Sequence, residues 1–208
     1  MKSNNYCTIY IVRHGQSEGN AADVLGGDTG LTAKGKLQAL ELGKEFKNID
    51  FSAVFSSNLL RAEQTAQLII EGKGLRVQKV ENLRERHFGE IDGKSVIEYI
   101  HLFDAIEDRP DKEYWEWKIV DDMENAQEAL ARFLKALRKI VNRYLGKKIL
   151  IASHGTVMRS LLVSLGYCNF RDLPAGSLKN TGYIKLESDG VDFFVKETKG
   201  IVNRGREK

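Results

Sequence analysis

The sequence predicts an α/β fold, with helices covering both faces of a mostly parallel central sheet. Short apolar segments alternate along the chain with longer segments whose apolar residues recur at helical spacing. Alternation of this kind favours parallel strands, because each connecting helix carries the chain back to the edge where the previous strand began. We expect one three-layer α/β/α domain over residues 1–208, with helices at about 92–124 packed as a cover over one end of the sheet.

Six short segments are predicted to be strands. The first, residues 8–12, is rich in β-branched residues and is typical of a buried strand. Two segments near the end of the chain flank Ser188-Asp189-Gly190 and predict a hairpin. The six segments are 8–12, 51–56, 75–80, 148–152, 182–186 and 191–197.

Four helices are predicted between these strands, at 33–48, 58–71, 124–144 and 156–165. Thr32 and Asn58 stand at the start of two of them, and both residue types are suited to cap a helix N-terminus. In the first helix, Leu37, Leu40 and Phe46 are expected to form one buried stripe, because they recur at helical spacing.

The composition is that of an ordinary globular protein. Of 208 residues, 42% are hydrophobic and 29% charged, and the net charge of +3 is too small to favour bulk nucleic-acid binding. No apolar run is long enough to cross a bilayer, and the first six residues lack the apolar core of a secretion signal, so we expect no membrane contact and a cytoplasmic location. Cys7 and Cys168 fit no CxxC pattern and are predicted to be reduced thiols. Residues 203–208 have the composition of a frayed polar tail, and the oligomeric state is left open.

Two predicted strands end in the same dipeptide, His-Gly. Arg13-His14-Gly15 follows the first strand, and Ser153-His154-Gly155 follows strand 148–152. The carboxyl ends of parallel strands meet at one sheet edge, so the two histidines can face one pocket. A histidine there can act as a nucleophile, and the glycine after it can let the backbone approach a ligand. The helix after Gly155 is expected to point free N–H groups towards an anion.

Arg61 adds a second arginine at a strand-to-helix junction on the same edge. Two arginines, two histidines and helix N–H groups suit a tetrahedral dianion such as phosphate. For Arg13-His14-Gly15 taken alone, a polar strand end at the surface is the alternative. No local group of His, Asp and Glu shows metal-ligand spacing, so we expect no metal and no other cofactor.

Five segments, in order along the chain, match a set of known sequence motifs. Residues 13–20 match RHGxSxxN, residues 30–39 match LTxxGxxQA, and residues 56–66 match SSxLxRAxQTA. Residues 83–93 match LxExxFGxxxG, and Ser153-His154-Gly155 matches a second histidine motif. In this set and order, the chain resembles the histidine phosphatase superfamily, also called the phosphoglycerate mutase-like family.

The resemblance implies a metal-independent reaction on a small phosphomonoester. His14 would be the nucleophile and would become a phosphohistidine. Glu85 would protonate the leaving alkoxide and then activate water. The phosphoryl oxygens would be bound by Arg13, Asn20, Arg61, His154 and Gly155.

The motifs fit both phosphatases and cofactor-dependent mutases. Mutases that resemble this chain carry an adjacent arginine pair in the cover, whereas residues 94–124 hold only four basic residues against ten acidic ones and no such pair. This favours a phosphatase and a substrate with little charge beyond its phosphate. Arg86 and Phe88 resemble mutase positions that contact substrate, so a mutase is the alternative. A non-catalytic phosphate-binding module is disfavoured because His14 and Glu85 are both present.

Several cover residues have open roles. His87 is either a substrate contact or a half-buried structural residue, whereas His101 is taken as structural. Trp115 and Trp117 could line a substrate cavity, but packing is the preferred interpretation.

Two positions depart from the family pattern. Gly19 stands where many members carry tryptophan, which predicts a looser loop after the nucleophile. Residues 122–125 replace a GES-like turn, so no contact from this segment to the phosphate is inferred.

Overall fold

The computed structural model describes residues 5–107 and 109–202, and a six-stranded sheet lies at its centre. The strands are β1 (Cys7–Arg13), β2 (Ala53–Ser56), β3 (Val77–Lys79), β4 (Lys148–Ser153), β5 (Leu178–Ser188) and β6 (Phe193–Ile201). Their order across the sheet is β3-β2-β4-β1-β5-β6. The pairs β1–β4, β2–β4 and β2–β3 are parallel, whereas β5 pairs antiparallel with both β1 and β6. The predicted α/β fold with a mostly parallel sheet is confirmed.

Helices cover both faces of this sheet. They are α1 (Glu18–Ala21), α2 (Ala33–Glu45), α3 (Leu60–Ile69), α4 (Val96–Glu107), α5 (Asp111–Glu116), α6 (Ala126–Val141) and α7 (Gly155–Ser164). Tyr10 and Val12 of β1 pack into a cluster with α2 and α3, whereas Ile9 and Ile11 pack into a cluster with α6 and α7. Alternate side chains of one strand therefore enter two separate cores.

The longest helix, α6, is amphipathic as predicted. Phe133, Leu137 and Val141 are fully buried at helical spacing. Each such side chain contributes about 1.5–3 kcal/mol through the area it removes from water. The helix begins two residues after the predicted start, because Asn125 accepts a hydrogen bond from the Glu128 N–H and the Glu128 carboxylate accepts one from the Asn125 N–H.

The predicted apolar stripe on α2 is wrong at Leu37, which is 61% exposed. Helix α2 instead packs through small residues: a Cβ on Gly35 would lie 2.0 Å from the carbonyl oxygen of Gln16, and one on Gly43 would lie 3.0 Å from that of Ile69. The helix therefore approaches backbone closely on a face that Leu37 does not share.

Helices α4 and α5 lie within residues 92–124. They pack through aromatic rings, with Phe103 and Trp117 5.4 Å apart and Tyr114 stacked on Phe170 at 3.9 Å. His101 is exposed on α4, so its assignment as a structural residue is wrong. Its helical spacing among apolar residues did not show which face of α4 meets the protein.

Cys7 is a buried thiol in β1, as predicted, and burial raises its pKa to about 12. Across the parts of the chain that are described, no helix combines the length and apolar character needed to span a membrane. The predicted polar tail at 203–208 lies outside the described residues.

The predicted N-cap of α3 is wrong. Asn58 is exposed and makes no capping hydrogen bond, and the helix begins at Leu60. Its first N–H groups are satisfied from elsewhere: Asp28 Oδ1 accepts the Leu60 N–H at 2.7 Å, and Ser57 Oγ accepts the Leu59 N–H at 3.2 Å. A carboxylate also interacts well with the helix dipole at this end.

The assignment of this cap predicts that Asp28 and Asn58 contribute differently to the free energy of unfolding. Asp28→Ala should lower the free energy of unfolding by about 1 kcal/mol, because it removes the capping acceptor. Asn58→Ala, the matched control, should stay within about 0.5 kcal/mol of the wild type. Urea denaturation measures both. An equal loss in both variants would contradict the assignment of the cap to Asp28.

Candidate active site

His14 lies at the carboxyl end of β1 with its ring buried. Its backbone N–H donates to the Ser153 carbonyl at 3.0 Å, which continues the β1–β4 pairing. Ring Nδ1 contacts the Gly15 carbonyl oxygen at 2.7 Å and must donate there, so Nε2 carries the lone pair. Burial first, and then the charges of Arg61 and Arg13, lower the pKa of His14 well below its usual value. The ring is therefore neutral, with Nε2 available as a nucleophile.

His154 faces His14 from the end of β4, with the ring centroids 5.1 Å apart. Ser57 Oγ accepts the Leu59 N–H and forms a hydrogen bond of 2.6 Å with His154 Nε2, in which either atom can be the donor. His154 Nδ1 is buried without a partner among the described residues. Burial, followed by the charge of Arg61, lowers the pKa of His154 well below its usual value. A neutral ring with one unpartnered nitrogen results.

Arg61 projects from the first turn of α3 and is only 4% exposed. Its Nε donates to His14 Nε2 at 3.2 Å, and its Nη1 donates to the Gly27 carbonyl at 2.6 Å. Burial lowers the pKa of Arg61, while the carboxylates of Glu85 and Asp28 oppose that effect. A buried arginine stays charged, so Arg61 places a fixed positive charge at the nucleophilic nitrogen.

Arg13 supplies the second cation, beside the start of α7. Its guanidinium donates to the Leu178 carbonyl of β5, and its Nε is buried without a partner among the described residues. A Cβ on Gly155 would lie 3.3 Å from that Nε, so glycine leaves room for the guanidinium. Arg13 is thus fixed at one end and has donor capacity left.

Glu85 places its carboxylate on the N-terminus of α7. Oε2 accepts the Thr156 N–H at 3.1 Å, and Oε1 accepts the Val157 N–H at 3.2 Å and the Arg86 N–H at 2.9 Å. The expectation of free N–H groups in this turn is therefore wrong for Thr156 and Val157. A carboxylate of the protein itself satisfies them, as a helix N-terminus favours.

Asn20 joins the site through a residue that the sequence did not single out, Asn180. Asn180 Nδ2 donates to the His14 carbonyl at 3.0 Å and to Asn20 Oδ1 at 3.2 Å. Asn20 Oδ1 also accepts the Ser17 N–H at 3.3 Å. With its oxygen held by two donors, the amide nitrogen of Asn20 is the group left to donate.

Glycines in the loop after the nucleophile serve packing. A Cβ on Gly15 would lie 2.4 Å from the carbonyl oxygen of Gly35, so the position requires glycine for contact with α2 rather than for access of a ligand. The Gly15 N–H donates to Thr65 Oγ1 at 3.0 Å. Gly19 donates to Thr29 Oγ1 at 3.0 Å, so the loop is tied there rather than loose as predicted.

A cavity of about 430 Å³ opens beside Arg13, Glu85 and Gly155 and extends beneath α4. Its apolar lining includes Leu25, Phe88, Val96, Ile100 and Phe103, and its polar lining includes Arg86, Asp104, Glu107, Tyr114 and Arg159. Arg159 pairs with Glu107 at 3.3 Å and donates to the Tyr114 hydroxyl at 2.6 Å. Arg13 and Gly155, the chain neighbours of His14 and His154, are part of the lining, and the cavity has room for a group attached to a phosphate.

The structure also places the cover residues whose roles the sequence left open. Arg86 and Phe88 line the cavity. His87 is exposed and is absent from the lining, so it is neither half-buried nor a wall of the cavity. Trp115 and Trp117 pack outside the lining, and Trp117 lies 5.6 Å from the Arg86 guanidinium.

Sequence reasoning missed Ser57, Asn180 and Arg132. Ser57 could have been noticed, because it is a hydroxyl at the end of a buried strand inside a recognised motif. Asn180 meets His14 across 166 positions of sequence, and Arg132 meets Glu85 across 47. Contacts at such separations leave no local pattern.

Comparison with known proteins agrees with this geometry. The family described as histidine phosphatase superfamily (branch 1) matches residues 9–199. The chain is 30% identical over 159 residues to the uncharacterized phosphatase PhoE of Bacillus subtilis (strain 168), covering 76% of each chain. It is 32% identical over 203 residues to a 2,3-bisphosphoglycerate-dependent phosphoglycerate mutase of Parvibaculum lavamentivorans (strain DS-1 / DSM 13023 / NCIMB 13966), covering 91% of this chain and 94% of that protein.

A solved structure, Bacillus stearothermophilus YhfR, has the same fold. It superposes with a TM-score of 0.79 at 29% sequence identity, covering 95% of this chain and 98% of that chain. The motifs, the paired histidines and these matches lead to one conclusion. The chain belongs to branch 1 of the histidine phosphatase superfamily.

Proposed function

We propose that the protein hydrolyses phosphomonoesters without a metal, through a phosphohistidine at His14. The observation that carries the proposal is the state of His14 Nε2. It is a neutral nitrogen with its lone pair turned to Arg61 Nε at 3.2 Å, while Nδ1 is held by the Gly15 carbonyl. A substrate phosphoryl group at this point would meet a nucleophile and a cation together.

In the first step, Nε2 attacks phosphorus, the N–P bond forms, and the P–O bond to the leaving group breaks. Arg13, Arg61 and the Nδ1–H of His154 would bind the phosphoryl oxygens, and the amide nitrogen of Asn20 would add another donor. As the general acid, Glu85 must carry a proton for this step, and it gives that proton to the departing alkoxide. In the resting site Arg61 donates to Nε2, so it must turn to a phosphoryl oxygen when substrate binds.

In the second step, water attacks phosphorus from the side that the alcohol left. Glu85 takes the proton from that water, the N–P bond breaks, and inorganic phosphate is released. His14 returns to its neutral form and Glu85 is again protonated. The two steps therefore balance without any further reactant.

The leaving-group cavity supports hydrolysis over mutase chemistry. Its lining holds three arginines and three acidic residues, and Arg159 is already paired with Glu107. This balance offers little net positive charge for a second phosphate, which a bisphosphoglycerate cofactor would bring. The presence of Arg86 and Phe88 in the lining is the observation that keeps a mutase as the second candidate.

A labelling experiment tests the nucleophile. Acid quenching during turnover of a radiolabelled phosphomonoester should trap an acid-labile phosphate on the wild type. His14→Ala should trap none, and its turnover of p-nitrophenyl phosphate should fall by more than about 10³-fold, because the covalent route is lost. His101→Ala, on the exposed histidine of α4, is the matched control and should retain the label. Full activity in His14→Ala would refute the proposal.

The same assay with EDTA tests the class of function. Turnover should persist in the chelator, because the cations at the site are arginines. No turnover across a pH series, with vanadate still bound, would favour a non-catalytic phosphate-binding module.

The choice between hydrolase and mutase predicts different products. With phosphoglycerate as substrate and 2,3-bisphosphoglycerate supplied, release of inorganic phosphate should exceed interconversion of the phosphoglycerates, because the cavity lacks excess positive charge. The measurement is a parallel assay of both products. Dominant interconversion would reverse the assignment in favour of a mutase.

The buried histidines predict a pH response. The folded-state pKa values of His14 and His154 lie below the ordinary value, so both rings should remain neutral as the pH falls through about 6.5. The unfolded chain binds protons there and the folded site does not, so stability is full above about 6.5 and declines as the pH falls towards the folded-state pKa values. Titration of the ring C–H signals by NMR, with the exposed His101 as reference, measures the pKa values of His14 and His154. Midpoints at or above the ordinary value would contradict it.

A further inference from the structure

Arg132 of α6 makes a set of hydrogen bonds that converges on the segment carrying Glu85. Its Nη2 donates to the Glu85 carbonyl at 2.7 Å, and its Nη1 donates to the Arg84 carbonyl at 2.9 Å and to the Asn82 carbonyl at 3.1 Å. One side chain therefore holds two carbonyls of the segment from Arg84 to Phe88, which has no regular helix or strand, and one carbonyl of the short 3-10 helix Glu81–Leu83 before it. A planar guanidinium, with several donors in fixed directions, is suited to this.

Glu124 holds Arg132 in the orientation these contacts need. Arg132 Nε donates to Glu124 Oε1 at 2.6 Å, and Nη2 donates to Glu124 Oε2 at 2.7 Å, a bidentate pair. Oε2 also accepts the His87 N–H at 3.1 Å. Burial opposes ionisation of Glu124, but the hydrogen bonds from Arg132 and His87 outweigh it and lower the pKa of Glu124.

The side chain of Glu85 is held separately, by the N–H groups of Thr156 and Val157 at the start of α7. Arg132 holds its backbone and α7 holds its carboxylate. Neither Arg132 nor Glu124 lines the cavity. The hydrogen bonds of Arg132 therefore act on the reaction through Glu85 and its segment, whereas its charge, which also lowers the pKa of His154, is kept in a lysine variant.

We propose that Arg132, held by Glu124, is a positioning residue that places Glu85 for proton transfer to the leaving group. The proposal rests on the proposed function, in which Glu85 is the general acid. A displacement of about 1 Å in such a group can cost as much as 10²-fold in rate. In the first step, which sets kcat/KM, the contact matters only when the leaving group needs a proton.

That condition separates positioning from general support of the fold. A p-nitrophenolate leaves readily without a proton, whereas an alkoxide does not. Loss of positioning lowers kcat/KM for alkyl phosphates and spares p-nitrophenyl phosphate. Damage to the fold or to the phosphate site lowers both equally.

Arg132→Lys is the test variant, because it keeps the charge but cannot reach the three carbonyls and the carboxylate together. For an alkyl phosphate such as glycerol phosphate, kcat/KM should fall by about tenfold or more. For p-nitrophenyl phosphate it should change by less than about twofold, and vanadate affinity should be unchanged. Arg138→Lys, on an exposed arginine of the same helix, is the matched control and should leave both substrates unaffected.

Glu124→Gln is the second variant, and it decides the question if Arg132→Lys fails to fold. It keeps the shape of the side chain and weakens the bidentate pair, so kcat/KM for alkyl phosphates should again fall selectively, but by a smaller factor. An equal loss on both substrates, or no loss on alkyl phosphates, overturns the proposal for either variant.

Combination with Glu85→Gln separates this proposal from the proposed function. Glu85→Gln should itself lower kcat/KM for the alkyl phosphate by about 10²-fold or more, and adding Arg132→Lys should then change the remaining kcat/KM by less than about twofold, because both act through one group. A Glu85→Gln enzyme with unchanged alkyl phosphate turnover refutes the general acid and hence the proposed function. A strong effect of Glu85→Gln combined with an unselective effect of Arg132→Lys refutes the positioning role alone.

Discussion

The register between β1 and β4 determines where both histidines lie. Arg13 is paired with Ser153, and the next hydrogen bond runs from the His14 N–H to the Ser153 carbonyl. The two strands are parallel, so both reach the same edge and both turn into loops there. A slip of one residue would turn His14 to the opposite face of the sheet. The 5.1 Å separation of the two rings is thus a consequence of backbone pairing, supported by apolar side chains on both faces.

Burial then determines the chemistry of those rings. Two arginines share a dry site with two histidines, and their charges together with desolvation keep the imidazoles neutral. The carboxylate of Glu85 is close enough to favour the charged forms of Arg13 and Arg61. Glu85 also satisfies the N-terminus of α7, so a bound phosphate would depend on arginine and histidine donors more than on that helix. In the proposed reaction, this site would supply fixed cations and a neutral nucleophile, as transfer of a phosphoryl group requires.

In the proposed reaction, substrate specificity would be set in a different part of the molecule from the chemistry. The cavity beside Glu85 is walled on one side by the cover, and the Arg159–Glu107 pair ties α7 of the base to α4 of the cover. Glu107 also accepts the Ala175 N–H at 2.6 Å. These contacts set the shape and charge of the space for the leaving group without touching His14. The base and its histidines are compatible with either a hydrolase or a mutase, and the cover distinguishes them.

The sequence by itself was sufficient to predict the fold, the paired His-Gly strand ends and the arginine at the β2–α3 junction. Those features depend on local patterns: a buried strand is apolar, and a polar residue at its carboxyl end faces the sheet edge. The same local reasoning gave the wrong reason for the glycine at position 15 and the wrong cap for α3. Gly15 is required by its contact with Gly35, and α3 is capped by Asp28 rather than by its neighbour Asn58.

Which groups form hydrogen bonds with one another was visible only in the folded molecule. The N-terminus of α7 binds Glu85 from a segment 71 positions earlier, and Asn180 reaches the His14 carbonyl from β5. Arg132 donates to the backbone carbonyl of Glu85 from α6, which follows the cover segment in sequence. Hydrogen bonds of this kind depend on where separate elements meet in space, and the residue types alone allow many partners. Strand ends and the apolar face of α6 are therefore predictable from the sequence, whereas the contacts that orient the side chains of the candidate active site require the folded molecule.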